Sequence, residues 1–217
     1  MKQGDDKARV LVLASGNGSN FEHLARAANR GDAPIEVVGL VCDRPGAGCL
    51  ERARDLEVPD LLLPAEGRNR RDYDLLLAEA AGGFEPDWVL LLGWMRILSK
   101  VFLEGFGGRV INLHPALPGR FPGTEAIRRA WSAARAGEGD TTGAMLHFVP
   151  DEGVDTGPAI IVRTLSIDPR DTLAEFEGKM HMLEHELVVE LAMRLRRDRL
   201  DDESAMTATK RRQGGMA

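Results

Sequence analysis

Asn112-Leu113-His114-Pro115 closes a short apolar run. Residues two apart on a strand project to the same face, so an amide donor and a titratable imidazole lie side by side there. Such a pair suits a carbonyl oxygen that gains negative charge while a proton moves. The plainer alternative is a histidine satisfied by a backbone carbonyl at a strand end. Further along, Asp151, Glu152 and Asp155 crowd the loop before Thr156-Gly157-Pro158. A carboxylate facing the imidazole favours its cation and raises its pKa. Asp155, next to the start of a strand, is the one expected to face inward, whereas Asp151 and Glu152 read as a solvated acidic turn.

Near the amino end, Gly16-Asn17-Gly18-Ser19-Asn20 falls between an apolar run and a helical pattern. Backbone N–H groups and a positive helix end then gather at one point, which favours a phosphate or another anion. Phe21 stands where a dinucleotide fingerprint needs a third small residue, so the loop speaks for a small phosphorylated ligand rather than NAD. A tight turn that needs only glycine's freedom is the alternative. His181-Met-Leu-Glu184-His185 matches a short zinc-protease pattern, but no third ligand follows on a neighbouring element, so no metal is expected. His147 reads as structural, and His23 lies on the first helix. Arg70 and Tyr73 open a helix, and Met95-Arg96-Ile97-Leu98 follows a strand. These residues wall a pocket or simply pack, with the arginines on the surface.

The elements that must position these residues alternate along the chain. Apolar runs over Arg9–Ser15, Ile35–Cys42, Asp60–Leu63, Pro86–Gly93 and Arg109–His114 predict strands, most of them buried on both faces. Helices are expected from Ser19 or Asn20, as cap, to about Asn29, then over Cys49–Leu56, Arg70–Ala81 and Thr124–Ala136. Strands alternating with helices mean βαβ units and a mostly parallel sheet. Gly143–Val149 and Pro158–Leu165, joined by a short acidic loop, suit antiparallel neighbours at one edge. A long helix from Thr172 to about Arg197 follows, with Asp171 as its expected cap. The fold class is therefore α/β, a single Rossmann-like domain over residues 1–200 with helices on both faces. Residues 201–217 form a polar tail expected to be disordered.

The 217 residues, 43% hydrophobic and 29% charged, exclude wholesale disorder and leave room for one domain with a generous core. A net charge of −6, from 28 basic and 34 acidic residues, argues against nucleic acid as the main partner. No apolar run is long enough for a membrane span, and the polar first residues do not form a signal peptide. Cys42 and Cys49 are too few for a disulfide scaffold. A cytoplasmic protein is expected, and a homodimer is left open.

Taken in order, Ser15–Asn20, Gly93–Ser99, Asn112–Pro115, Phe121-Pro-Gly123, His147-Phe-Val149 and Asp151–Pro158 resemble the folate-dependent phosphoribosylglycinamide formyltransferase family of purine biosynthesis. The likeness runs from about Arg9 to Arg194. It implies formyl transfer from 10-formyltetrahydrofolate, as co-substrate, to the amine of glycinamide ribonucleotide, without metal or covalent enzyme intermediate. It also implies catalytic roles for Asn112, His114 and Asp155, and a ribonucleotide-phosphate loop at Asn17, Gly18, Ser19 and Asn20. Glu184 is implied to receive the glycinamide amine end. Arg70, Met95, Arg96, Ile97, Leu98, Asn112 and Asp151 are implied to bind folate. The sequence departs from the family pattern at Pro118-Gly119, in the bend between active site and helix, and by an extra Pro150, which bears on the folate loop.

Rival readings stay within reach of the same residues. A formyltransferase acting on tRNA is expected to add a basic domain, and a formylfolate hydrolase an amino-terminal one. A sugar formyltransferase fits Gly16–Asn20 less well than a ribose phosphate does. A non-catalytic binding module has to treat Asn112, His114 and Asp155 as coincidence.

Overall fold

A computed structural model describes residues 7–197, 199 and 200; the expected tail lies outside them. The chain runs β1 (Ala8–Ala14), α1 (Ser19–Arg30), β2 (Ile35–Cys42), α2 (Gly48–Asp55), β3 (Asp60–Leu62), α3 (Arg70–Gly82), β4 (Trp88–Leu91), α4 (Lys100–Gly105), β5 (Val110–His114), α5 (Ala126–Arg135), β6 (Thr141–Phe148), β7 (Ala159–Ser166) and α6 (Leu173–Arg194). One seven-stranded sheet has the order β3-β2-β1-β4-β5-β6-β7. The first five strands pair in parallel, whereas β6 and β7 add antiparallel pairs.

Alternation along β1 shows why its sequence is apolar from Val10 to Ala14. Val10, Val12 and Ala14 enter one core, packed with Phe21 and Leu24 of α1 and Phe176 and Met180 of α6. Leu11 and Leu13 enter the other, against Tyr73 and Leu77 of α3 and Phe102 of α4. Both faces of the strand are covered, so no polar residue is tolerated on either. The order reverses at β1: the chain leaves it towards β2, then returns from β3 to β4 on its other side. In open α/β sheets the crevice beyond the strands' carboxyl ends at such a point is where ligands sit.

Several boundaries differ from those expected. α4 has six residues, too few to show a periodic pattern in the sequence. α1 is capped by Gly18 in the left-handed region, φ 81°, rather than by the Ser19 or Asn20 side chain. α5 starts at Ala126, after a turn, not at Thr124. Thr172, not Asp171, caps α6: its Oγ1 accepts from Glu175 N, and the Glu175 carboxylate accepts from Thr172 N. α6 ends at Arg194, because Leu195 turns extended and pairs with Leu200.

That last segment returns beneath the amino edge of the sheet. Trp88 Nε1, at the start of β4, donates to Arg196 O at 2.7 Å. Arg197 lies 3.7 Å from Asp87 Oδ2, the atom that accepts from Arg9 N at 2.8 Å. No described helix is long and apolar enough to cross a membrane.

Candidate active site

The loops after β1 and β4 are stitched together at the reversal point. Ser15 N donates to Gly93 O at 3.0 Å, and Met95 N donates to the buried Ser15 hydroxyl at 3.1 Å. In the sequence Ser15 is only the start of the Ser15–Asn20 motif, because its contacts depend on a strand distant in the chain. Beside this junction opens a cavity of about 740 Å³, within the usual range for small-molecule sites. Asn112 and His114, at the end of β5, line it together with Asp151 and Asp155 of the acidic loop. Met95, Arg96, Ile97 and Leu98 form one wall, and Asn20 and Glu184 stand across it.

Asp155 is the hub. Its Oδ1 accepts from Asn112 Nδ2 at 3.0 Å, and its Oδ2 accepts from Gly123 N at 2.8 Å. His114 Nδ1 lies 3.3 Å from Oδ2, and His147 Nε2 lies 3.5 Å from Oδ1. The residue is held in the left-handed region at φ 54°, a conformation Asp tolerates better than most residues. Burial works against its charge, but the His147 and Gly123 contacts, with the neighbouring His114 ring, hold its carboxyl below the usual range.

His114 corrects one expectation. Asp155 does push its pKa up, yet burial is the larger influence and carries it below the ordinary 6.5. His114 Nε2 meets Phe121 O at 3.2 Å, so both ring nitrogens face oxygens. His147 joins the cluster from the neighbouring strand. It stands directly across from Asn112 in the antiparallel register, with Nε2 3.1 Å from Asn112 Nδ2 and Nδ1 2.8 Å from Phe148 O. Asn112 Nδ2 is thus bracketed by Asp155 Oδ1 and His147 Nε2. The signal for His147 is its place in a strand that pairs with β5, legible only once the register is known.

At the far end, Glu184 is 5% exposed, with its Oε2 2.8 Å from His181 Nδ1 and 3.4 Å from Asn20 Nδ2. The Glu184 hydrogen bond raises the His181 pKa. His185 leaves this pair and stacks on His23, ring centroids 3.6 Å apart. The two histidines of the zinc-protease pattern therefore serve different contacts. Among the described residues, no group of three or more His, Cys, Asp and Glu is placed to hold a metal.

The remaining expected residues lie outside the cavity lining. Asn17, Gly18 and Ser19 form the turn into α1 beside it. Arg70 ion-pairs with Glu152, whose carboxylate also accepts from Lys100 N at 2.9 Å. Glu152 is thus a tether between the acidic loop and two helix starts rather than a free solvated group. Met95 and Ile97 are 52% and 46% exposed, and Val154 of the acidic loop is 39% exposed. These side chains line the cavity together, an apolar surface that a flat ring would cover.

Residues 8–192 match the formyl transferase family. The chain is 37% identical over 178 residues to a phosphoribosylglycinamide formyltransferase of Bacillus subtilis, covering 82% of this chain and 89% of that one. It is 39% identical over 196 residues to one from Schizosaccharomyces pombe, covering 84% and 94%. A solved glycinamide ribonucleotide transformylase 1 from Geobacillus kaustophilus superposes with a TM-score of 0.79. The two are 39% identical, and the match covers 86% of this chain and 98% of that one.

Proposed function

The chain belongs to the formyl transferase family, and on that premise we propose that it moves the formyl group of 10-formyltetrahydrofolate to the amine of glycinamide ribonucleotide. The observation that carries this reading is the convergence of Asn112, His114 and Asp155 on one wall of a cavity that Glu184 faces. A folate-derived donor fits the apolar strip of Met95, Ile97 and Val154, and the acidic loop borders it. An amine fits the buried carboxylate of Glu184, whose partners are His181 and Asn20.

The acceptor amine attacks the formyl carbon and gives a tetrahedral centre with an oxyanion. Asn112 supplies an amide donor that Asp155 and His147 hold in place until that charge develops. Burial keeps His114 neutral near pH 7, so its proton uptake coincides with the oxyanion that compensates it. Asp155, kept ionised, orients the water through which the amine's proton reaches His114 and steadies the imidazolium that forms. That proton passes on to N10 as the carbonyl re-forms and the C–N10 bond breaks, releasing the folate product.

The reading is tested by following folate absorbance with both substrates, beside His114→Ala and a control lacking acceptor. Formyl loss that needs the ribonucleotide and disappears in the variant is expected. Loss without acceptor would instead mean hydrolysis, and transfer only to sugar amines would mean a different acceptor.

A further inference from the structure

The turn from Gly16 to Ser19 has all its backbone oxygens occupied, and the Asn17 amide oxygen with them. Gly16 O accepts from Cys49 N at 3.1 Å, and Gly18 O accepts from Glu22 N at 2.9 Å. Ser19 O meets His23 Nδ1 at 3.0 Å. Asn17 contributes two oxygens, and one side chain from α2 takes both: Arg52 Nε donates to Asn17 O at 2.9 Å and Nη2 to Asn17 Oδ1 at 3.3 Å. α2 packs close enough that a Cβ on Gly48 would lie 2.8 Å from Asn17 Oδ1. What the turn then presents outward is hydrogen-bond donors, because no side chain caps the first turn of α1.

Charge follows the same plan. Glu22, in that first turn, would repel an anion, but it is bound by both Arg52 and Arg26, the latter at 2.7 Å. Two guanidiniums on one carboxylate leave a net positive charge behind a loop whose own residues, Ser15 to Asn20, include no cation.

The geometry points to Arg52 as the positioning residue of the ribonucleotide-phosphate loop: it turns the Asn17 oxygens away from the anion and masks Glu22. This rests on the reading that residues 17–20 hold that phosphate. Arg52 does not touch the reacting atoms, so its loss acts on binding and not on the chemical step. Hydrogen bonds to a charged group are worth enough to raise the ribonucleotide KM about tenfold in Arg52→Ala. kcat and the folate KM stay within about twofold, as expected where only uniform binding is lost. Arg52→Lys keeps the charge but not the fork that spans two oxygens, so its KM falls between wild type and Arg52→Ala. Adding Glu22→Gln to Arg52→Ala removes a carboxylate that Arg26 alone then masks, and recovers part of the loss.

Inorganic phosphate is the direct probe. Titrated into the wild-type protein, it is expected to shift the amide resonances of Gly18, Ser19 and Asn20, and to do so at about tenfold higher concentration in Arg52→Ala. Amides that move equally in both proteins, or a ribonucleotide KM unchanged in Arg52→Ala, overturn the role of Arg52 alone. Amides that do not move in the wild type overturn the phosphate-loop reading and the Arg52 role with it. A variant whose two KM values and kcat all worsen together, with a lowered Tm, shows a structural part only and also overturns it.

Discussion

His114 and His181 each sit against a carboxylate at the edge of the same cavity, one at the end of β5 and the other on α6, and they titrate in opposite directions. His181 has the shorter contact, 2.8 Å to Glu184, and its side chain is 49% exposed, so the partner sets the sign and the pKa rises. His114 lies 3.3 Å from Asp155 with its side chain 4% exposed, and there the loss of water outweighs the attraction. A carboxylate neighbour therefore does not by itself make a cationic histidine; solvent access decides which influence wins. The buried pair is suited to take up a proton only when new negative charge appears. The open pair is suited to staying charged beside a polar ligand.

The hardest way to break this contrast is to remove the hub of the buried pair. Asp155→Ala and Asn112→Ala should each lower turnover by ~10²–10³ while leaving the circular-dichroism spectrum native, the usual loss when one oxyanion donor or its support goes. Near-full activity in either variant would take that residue out of the chemical step. His147→Ala is expected to cost about tenfold in kcat, one orienting hydrogen bond, with substrate KM values little changed. An effect as large as that of Asp155→Ala would make His147 a direct participant.

On the open side, Glu184→Gln should raise the ribonucleotide KM by about tenfold. It should also drop the His181 pKa towards 6.5, read from the imidazole proton shifts. A His181 pKa that stays high would place its cause elsewhere.

The smallest effect sharpens the comparison most. A lowered folded pKa means that the unfolded chain takes up the proton first. Stability lent by neutral His114 is thus present above 6.5 and lost as pH falls below it. A raised folded pKa acts the other way, so what His181 lends is full below 6.5 and fades as pH climbs through its raised value. Melting curves between about pH 5.5 and 8.5 should show the wild type gaining on His181→Gln as pH falls and losing ground to His114→Gln. Parallel slopes would erase the distinction between the two pairs.

Much of this arrangement is legible in the sequence alone, and the reasons are local. Runs such as Val10–Ala14 and Val89–Leu91 are apolar on both faces, and only a covered strand asks for that. Asn112 and His114 announce themselves by alternation, and Gly18 by the turn it must make. What stays hidden depends on contacts across the chain. His147 matters because β6 runs antiparallel to β5 in a register that sets it opposite Asn112. Ser15 matters because β4 returns beside β1. The sign of the His114 shift needs the depth of its burial, which residue types alone do not supply. α4 escapes notice because six residues carry no period, and Glu152 because its partners, Arg70 and Lys100 N, stand 82 and 52 positions away.

Asp87 holds one further consequence. The backbone of Arg9 and the guanidinium of Arg197 both reach its carboxylate, so the described residues nearly close on themselves. That seam lies at the amino edge of the sheet, and the cavity lies past the carboxyl edge. A circular permutant in which the segments at Arg9 and Arg197 are joined by a short flexible linker, and new ends are opened in the exposed turn at Gly137–Gly139, should keep the fold. A passenger domain spliced at the seam would hang from the side of the molecule where no substrate arrives.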